Sequence, residues 1–251
     1  MPRTARKLSS TGLYHIILRG VNREAVFIDD EDRRQFLKIL KYIEKVSGCE
    51  ILCYCLMDNH IHILLKVNDE PLATIIKRIC GSYVLYFNKR HGRIGHLFQE
   101  RFRSEPVESN RYFLTVFRYI LRNPVKAGMV KLVSEYRWSS YNEYVRASTL
   151  TGSYSLNLFA ESGYNSFESF KEYVNTPNED ECLEYEDKPS ISDDEVKEII
   201  EGIIGVCARE IKKMDKCQRN ATIKRIKAVV DVPLRQLARV TGLSKSLLSK
   251  I

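Results

Sequence analysis

The sequence predicts an α+β fold, a ferredoxin-like antiparallel sheet with packed helices, followed by a small all-α helix-turn-helix module. Apolar segments follow one another in the order strand, helix, strand, strand, helix, strand, helix, which is the split βαβ pattern with one added helix. The 251 residues, 44% of them hydrophobic, suffice to bury a core in one or two domains. Charge is also distributed unevenly along the chain, which indicates separate modules.

The first half of the predicted sheet contains three strands and one helix. The first strand is LYHIILRG (13–20), which Gly20 closes. In DDEDRRQFLKILKYIEKVSG, Asp29 or Asp30 can cap a helix whose apolar residues recur at i, i+3, i+4 and i+7 from Phe36. CEILCYCLM and HIHILLKV are the next two strands, and the turn dipeptide Asp58-Asn59 separates them.

Two helices and a fourth strand complete this domain. Pro71 suits the first turn of the helix PLATIIKRICGSYVLYFNKRHG, and Gly92 suits its end. ERFRSEPVE can form the fourth strand. SNRYFLTVFRYILRN is predicted to be a helix that Ser109 or Asn110 caps and that stops before Pro124.

The charge pattern predicts where the domains divide. We expect a first domain over residues 1–176, an acidic linker over 177–191 and a helical module over 192–251. The linker lies in PNEDECLEYEDKPSISDDEVKEIIE, whereas basic residues dominate from Arg209 onward. The net charge of +8 and the pI near 9.0 indicate a polyanionic partner, and the basic tail favours nucleic acid.

The cysteines and the N-terminus bear on the compartment. Seven cysteines are scattered without a CxxC pair, which argues against a disulfide framework and against a finger-type zinc site. The N-terminus lacks the apolar segment of a secretory signal, and no apolar run of about eighteen residues could span a membrane. We therefore expect a cytoplasmic protein without a membrane partner.

Two histidines stand one residue apart in MDNHIHILLKV. Side chains alternate along a strand, so His60 and His62 share one face. Two neutral imidazoles on one face can chelate a single ion. The alternative is a pair of surface histidines on the solvated face of a half-buried strand. His15 has no partner at a suitable spacing, so we expect it to be structural.

The last helix of the first domain carries two further candidates. Tyr119 and Asn123 are four residues apart and project from one helical face. Tyr119 offers a phenolic nucleophile, and Asn123 offers a carbonyl oxygen that suits Mg²⁺ or Mn²⁺. Alternatively, Tyr119 packs in the core, and Asn123 only terminates the helix.

Basic and aromatic residues alternate in KRHGRIGHLFQERFR, a composition that suits single-stranded nucleic acid. The alternative is a solvated basic loop over a core that buries the phenylalanines. In RGVNRE, two polar residues could approach DNA or form a plain turn. The DNA-contacting residues predicted in this domain are Arg19, Asn22, Arg90, Arg93, Arg101 and Arg103.

Five segments together resemble the REP-associated tyrosine transposases, relatives of the single-tyrosine HUH insertion-sequence transposases. The segments are YHIILRGVNRE, CLMDNHIHILL, YFNKRHGRIGHLFQERFRS, FRYILRNPVKAGMV and YRWSSY, in this order. The resemblance implies an HUH nuclease-like fold in which His60 and His62 bind the metal and Tyr119 is the nucleophile. Asn123 falls where some relatives supply a third ligand.

The resemblance also implies a reaction. The protein would cleave and rejoin hairpin-bearing single-stranded DNA through a 5′-phosphotyrosine intermediate, with Mg²⁺ or Mn²⁺ and without ATP. Two other functions stay open: a domesticated, non-catalytic DNA-binding regulator, and a metal-dependent hydrolase that uses water and does not need Tyr119. The sequence does not decide the oligomeric state.

The C-terminal stretch VPLRQLARVTGLSKSLLSKI has the spacing of a helix-turn-helix and resembles that of the DnaA C-terminal domain. Gly242 forms the turn, and Ser244 can cap a second helix that presents Lys245 and Lys250 to duplex DNA. Ile251 falls inside or at the end of this second helix, so duplex binding by the module stays open.

Overall fold

A computed structural model of the chain describes residues 6–99, 101–145, 153–164, 166–184, 192–230 and 232–251. The chain divides into two compact units, Met1–Tyr185 and Glu186–Ile251. Within the described residues, no helix combines the length and the apolar character needed to cross a lipid bilayer.

A four-stranded sheet forms the centre of the first unit. Its strands are β1 (Leu13–Arg19), β2 (Glu50–Leu56), β3 (His60–Lys66) and β4 (Arg103–Pro106). They lie in the order β2-β3-β1-β4, and every neighbouring pair is antiparallel. This is the strand order of the split βαβ pattern, and the predicted α+β fold class is confirmed.

Two long helices, α1 (Asp30–Ser47) and α2 (Leu72–His91), cover one face of the sheet. Asp29 caps α1 by accepting hydrogen bonds from two backbone N–H groups of its first turn. Gly92 ends α2 in the left-handed conformation, at a φ of 60°, which costs glycine little. The capping residues predicted from sequence therefore set the ends of both helices.

The helix α3 (Asn110–Lys126) covers the other face of the sheet. The Ser109 side chain accepts a hydrogen bond from Tyr112 N and caps the helix. The prediction that the helix stops before Pro124 is wrong, because Pro124 lies within its last turn. Proline has no N–H to bond the carbonyl four residues earlier, so the last turn of α3 forms without this backbone hydrogen bond. Three short helices extend the packing on this side: α4 (Tyr141–Val145), α5 (Ser153–Glu161) and α6 (Phe167–Asn175).

The second unit is helical and has its own apolar core. Its α-helices are α7 (Asp193–Ile204), α8 (Lys216–Val229), α9 (Leu234–Thr241) and α10 (Lys245–Lys250). Between α9 and α10, Gly242 adopts a left-handed φ of 71°, and the Ser244 side chain accepts a hydrogen bond from Leu247 N. The turn and the cap are those that the sequence predicts for a helix-turn-helix.

Candidate active site

The histidine pair lies where β3 leaves a tight turn. At the neighbouring end of β1, Gly20 N donates a hydrogen bond of 2.8 Å to Asn59 O. A Cβ at Gly20 would lie 2.1 Å from Glu24 O, so only glycine fits at this position. β3 begins at His60, directly after the turn, and His60 and His62 lie on the face that α3 covers.

The rings of His60 and His62 are close enough to share an ion. Their centroids are 5.0 Å apart, with an interplanar angle of 79°. His60 is half-buried and His62 is buried. His60 Nδ1 donates a 2.7 Å hydrogen bond to Asn59 Oδ1, so Nε2 is the ring nitrogen with the lone pair. The prediction that His60 and His62 share one face is confirmed. The alternative, a pair of surface histidines, is wrong for His62, which is buried.

His15 is a partner of this pair that the sequence does not reveal. Its Nε2 lies 3.0 Å from His62 Nδ1, and both side chains are buried. Burial lowers the pKa of His15 to about 3. Burial, followed by the charges of His15 and His60, holds the pKa of His62 well below its usual value. Both rings are therefore neutral at pH 7, the form in which imidazole binds metals.

Tyr119 of α3 packs directly against these histidines. Its ring centroid lies 5.8 Å from that of His62 and 5.8 Å from that of His15. Tyr119 is only 1% exposed and belongs to the core on the α3 face. Tyr119 is therefore both a core residue and a direct neighbour of the histidine pair.

The Tyr119 hydroxyl has a carboxylate partner. It donates a 2.6 Å hydrogen bond to Glu184 Oε1. Burial raises the pKa of Tyr119, and the hydrogen bond and the charge of Glu184 raise it further. In this state Tyr119 is a neutral phenol, and Glu184 occupies the position beside its oxygen.

Glu184 belongs to an acidic segment, Asp180–Glu184, that packs against the rest of the first unit through side chains and backbone. Asp180 accepts two hydrogen bonds from Arg118, at 2.7 and 2.8 Å. Three further bonds are Arg103 Nη1 to Glu184 O at 3.0 Å, Leu183 N to Glu105 Oε2 at 3.1 Å and Lys126 Nζ to Asp180 O at 3.3 Å. This segment falls within the predicted linker 177–191, whose residues 185–191 lie outside the described part of the chain. The domain boundaries therefore stay a prediction.

Asn123 lies one turn after Tyr119, as its spacing predicts. Its Nδ2 donates a 3.0 Å hydrogen bond to Tyr119 O. Among the described residues, no group of three or more His, Cys, Asp or Glu side chains could hold a metal ion. The ring nitrogens of His60 and His62 are suitable donors for a divalent ion, and a two-histidine site would leave positions for phosphate and water oxygens. The ligand role of Asn123 stays a prediction.

Three of the arginines predicted to contact DNA have acidic or backbone partners in the structure. Arg90 binds Asp29 through both terminal nitrogens, at 2.7 and 2.6 Å, and buried Asp32 at 2.5 Å. Arg93 binds Glu24 at 2.8 Å, and Arg103 binds the acidic segment. Arg90 thus ties α2 to α1, a structural role that the sequence analysis did not anticipate.

The other predicted DNA contacts lie at exposed or half-buried positions. Asn22 is exposed and has a left-handed φ of 51°, which asparagine tolerates. Arg19 ends β1 opposite His60 in the β1–β3 register. Arg101 is exposed beside β4, and Lys245 and Lys250 are exposed on α10. The DNA contacts of these residues stay predictions.

A comparison with protein families identifies the sheet domain. Residues 9–123 match the family described as "Transposase IS200 like". These residues form a domain that is similar to the IS200-like transposases. The domain contains the four strands, the histidine pair and Tyr119, and it ends at Asn123. The resemblance stated above is therefore confirmed for the first unit.

One relative and one solved structure that are similar to this chain are both described as REP-associated tyrosine transposases. A Haemophilus influenzae (strain Rd) protein with the assigned name REP-associated tyrosine transposase is 24% identical over 153 residues, 57% of this chain and 86% of the relative. Among solved structures, a REP-associated tyrosine transposase bound to a REP hairpin has a TM-score of 0.53 at 16% identity. That match covers 73% of this chain and 95% of the other, and it supports the fold. The family and the relative support a role as a transposase.

Proposed function

We propose that this protein is a single-tyrosine HUH transposase that cleaves and rejoins hairpin-bearing single-stranded DNA. The supporting observation is the packing of Tyr119 against His62, 5.8 Å between centroids, inside a domain that is similar to the IS200-like transposases. The hairpin in the related solved structure makes hairpin DNA the substrate to test first.

The proposed reaction is a transesterification. The Tyr119 oxygen attacks the scissile phosphorus, the bond from phosphorus to the 3′ oxygen breaks, and a 5′-phosphotyrosine forms. The proton from Tyr119 leaves to an acceptor, and the departing 3′ oxygen takes up a proton to become a 3′-OH. A second 3′-OH reverses these steps and joins two strands. No ATP is needed, because each new phosphodiester replaces one of similar energy.

In this proposal the hydrogen bond to Glu184 opposes attack by Tyr119, whose hydroxyl still carries its proton. Burial and the Glu184 carboxylate raise the pKa of Tyr119, and the carboxylate lies beside the Tyr119 oxygen. A DNA backbone would compete with the acidic segment for Arg103, Arg118 and Lys126, since phosphates and carboxylates both attract these cations. In this proposal, DNA binding therefore displaces the acidic segment.

His60 and His62 are the residues that would hold the divalent ion, Mg²⁺ or Mn²⁺, with Asn123 as the proposed third ligand. When bound, such an ion polarises the scissile phosphate and neutralises charge that develops on its oxygens. His15 would keep His62 oriented through the 3.0 Å contact with Nδ1, which directs Nε2 of His62 toward the ion.

The test uses labelled hairpin oligonucleotides from the flanks of the gene, with Mg²⁺ or Mn²⁺. Products of the wild type, Tyr119→Phe and His60→Ala/His62→Ala are compared on a denaturing gel, and a native gel reports binding. A covalent adduct in the wild type alone supports the proposal. Cleavage that persists in Tyr119→Phe would instead assign a hydrolase that uses water.

A non-catalytic DNA-binding regulator is the second candidate. The observation that favours it is the Tyr119 hydroxyl, which is buried and bonded to Glu184. If all three proteins shift the hairpin without cleaving it, the regulator is the better description.

The second unit is proposed to bind duplex DNA. Lys245, Ser246, Ser249 and Lys250 are exposed on α10, while Leu248 is buried in the core of the unit. The second helix of a helix-turn-helix enters the major groove with such an exposed polar face.

A further inference from the structure

A pocket of about 390 Å³ lies on the face of the sheet opposite the candidate active site. Its volume is typical of pockets that enclose a small ligand, roughly 300–1,000 Å³. Leu18 of β1 and Ile76 of α2 line the apolar floor. Neither the histidine pair nor Tyr119 lines this pocket, so the reaction described above does not use it.

The wall and rim of the pocket combine aromatic rings with positive charge. Phe98 and Phe102 line the wall, together with three cationic residues, Arg6, Lys77 and Arg101. Among the described residues that line it, none is a carboxylate. The pocket therefore favours a ligand that is flat and apolar at one end and anionic at the other.

Arg6 and Phe102 contact each other in this wall in two ways. The Arg6 guanidinium lies 3.7 Å from the ring centroid of Phe102, and Arg6 Nη2 donates a 3.3 Å hydrogen bond to Phe102 O. Burial lowers the pKa of Arg6, and the positive charge of Arg101 lowers it further. Two like charges that line one pocket are stabilised when an anion binds between them.

The pocket and the candidate active site meet at one end of β1. Gln99 N donates a 2.7 Å hydrogen bond to Arg19 O, so the segment that carries Phe98 runs along this strand end. Arg19 pairs with His60 across the β1–β3 ladder, and residues paired in this way have Cα atoms about 5 Å apart. A DNA strand that passes this end of the sheet can reach both faces.

We propose that this pocket binds one unpaired nucleobase of the single-stranded DNA next to the hairpin, with the adjoining phosphate between Arg6 and Arg101. The base would stack on Phe98 or Phe102, and the cations of the rim would hold the backbone. This inference rests on the proposed function for its ligand. It adds an anchoring site on the other face of the sheet, which fixes the register of the strand before cleavage.

The test combines a pocket-filling variant with DNA that lacks one base. Ala73 is exposed in the first turn of α2 and lines the pocket, so Ala73→Trp fills it from the outside. The control is Ser82→Trp, an exposed position on the opposite side of the same helix. Both changes are made in full-length Tyr119→Phe protein. Fluorescence anisotropy then measures the dissociation constants of hairpins with single-stranded tails, each carrying an abasic site at a different position.

One abasic position should weaken binding by roughly 5- to 100-fold, as expected for one lost base–aromatic stack. Ala73→Trp should weaken binding of the intact DNA to a similar extent and should be insensitive to that abasic site. Ser82→Trp should retain the full effect. Equal abasic effects in both variants would overturn the proposal, as would the absence of any sensitive position.

A charge variant tests the pocket independently of its shape. Lys77→Glu should weaken DNA binding and reduce its salt dependence, whereas Lys38→Glu, an exposed lysine on α1, should do neither. If Lys77→Glu binds like Lys38→Glu, the pocket does not contact DNA. The proposed function is tested separately, by adduct formation in protein that retains Tyr119, on the other face of the sheet. If adducts form but the pocket variants bind DNA normally, only the pocket proposal fails.

Discussion

At the scale of single residues, burial decides the chemistry of the candidate active site. His15 and His62 are buried together 3.0 Å apart, and their lowered pKa values keep both rings neutral. A neutral His62 can bind a metal only through the nitrogen that His15 does not contact. His15 is therefore a positioning residue, although its place in the sequence indicates only a core residue.

Replacing His15 by Phe should raise the Mn²⁺ concentration needed for half-maximal adduct formation by roughly 10- to 100-fold, the usual effect of losing such a partner. Saturating Mn²⁺ should restore most of the rate. The measurement is a metal titration of adduct formation, with His96→Phe at an exposed position as the control. An unchanged titration curve for His15→Phe would mean that His15 only fills space.

Gly20 is needed because a side chain would collide with the backbone there, and not because of its backbone angles. Gly20→Ala should lower the free energy of unfolding by about 1–3 kcal/mol, because the new Cβ would lie 2.1 Å from Glu24 O. Gly81→Ala in α2 is the matched control, with no atom within 4 Å of the new Cβ. It should stabilise the protein by about 0.5–1 kcal/mol. Urea unfolding measures both changes, and equal effects would contradict this account.

At the scale of elements, buried Asp32 joins α1 to α2. Arg90 and His91 of α2 both bind its carboxylate, at 2.5 and 3.0 Å. Burial by itself would raise the pKa of Asp32, but the hydrogen bonds from His91, Ile28 N and Arg90 outweigh burial and lower it. Ionised Asp32 therefore stabilises the fold at neutral pH, and this contribution is lost as the pH falls through the lowered pKa.

Arg90→Ala should lower the free energy of unfolding at pH 7, because it removes a charged partner from the buried Asp32 carboxylate. The loss should shrink in acid, where Asp32 becomes protonated in both proteins. Urea unfolding at several pH values measures it, with exposed Lys89→Ala as the control. If Arg90→Ala instead weakens DNA binding at unchanged stability, Arg90 is the DNA contact that the sequence predicts.

The acidic segment Asp180–Glu184 affects the nucleophile through the hydrogen bond from the Tyr119 hydroxyl to Glu184. Glu184→Gln removes the charge that raises the pKa of Tyr119 and weakens the competition with DNA phosphate. Adduct formation should become several-fold faster, whereas Glu181→Gln, exposed in the same segment, should have no effect. The readout is the initial rate of adduct formation at limiting DNA. A slower rate in Glu184→Gln would instead make Glu184 the acceptor of the Tyr119 proton.

At the scale of the whole molecule, the two units have separate cores and separate proposed DNA partners. Lys245→Glu/Lys250→Glu should abolish duplex binding in a gel shift and leave adduct formation on hairpin DNA unchanged. The control with equal charge change is Lys212→Glu/Lys216→Glu, at exposed positions outside α10. Loss of the adduct in the α10 variant alone would show that the second unit takes part in cleavage.

The sequence by itself determined the order of strands and helices, the common face of His60 and His62, the spacing of Tyr119 and Asn123, and the turn at Gly242. Each of these follows from backbone geometry within a few residues, since side chains repeat every two residues in a strand and about every four in a helix. Helix capping and turn conformations are equally local. The end of α3 is the local prediction that failed, because α3 continues to Lys126 although Pro124 lacks a backbone donor.

Only the tertiary structure decided which distant groups meet. The contact between His15 and His62 spans 47 residues, and the bond between Tyr119 and Glu184 spans 65. The first depends on strand register, and the second on where a segment without regular structure packs. Neither is encoded by a periodicity that can be read along the chain. The strands and helices follow from local pattern, but the state of the nucleophile depends on long-range packing.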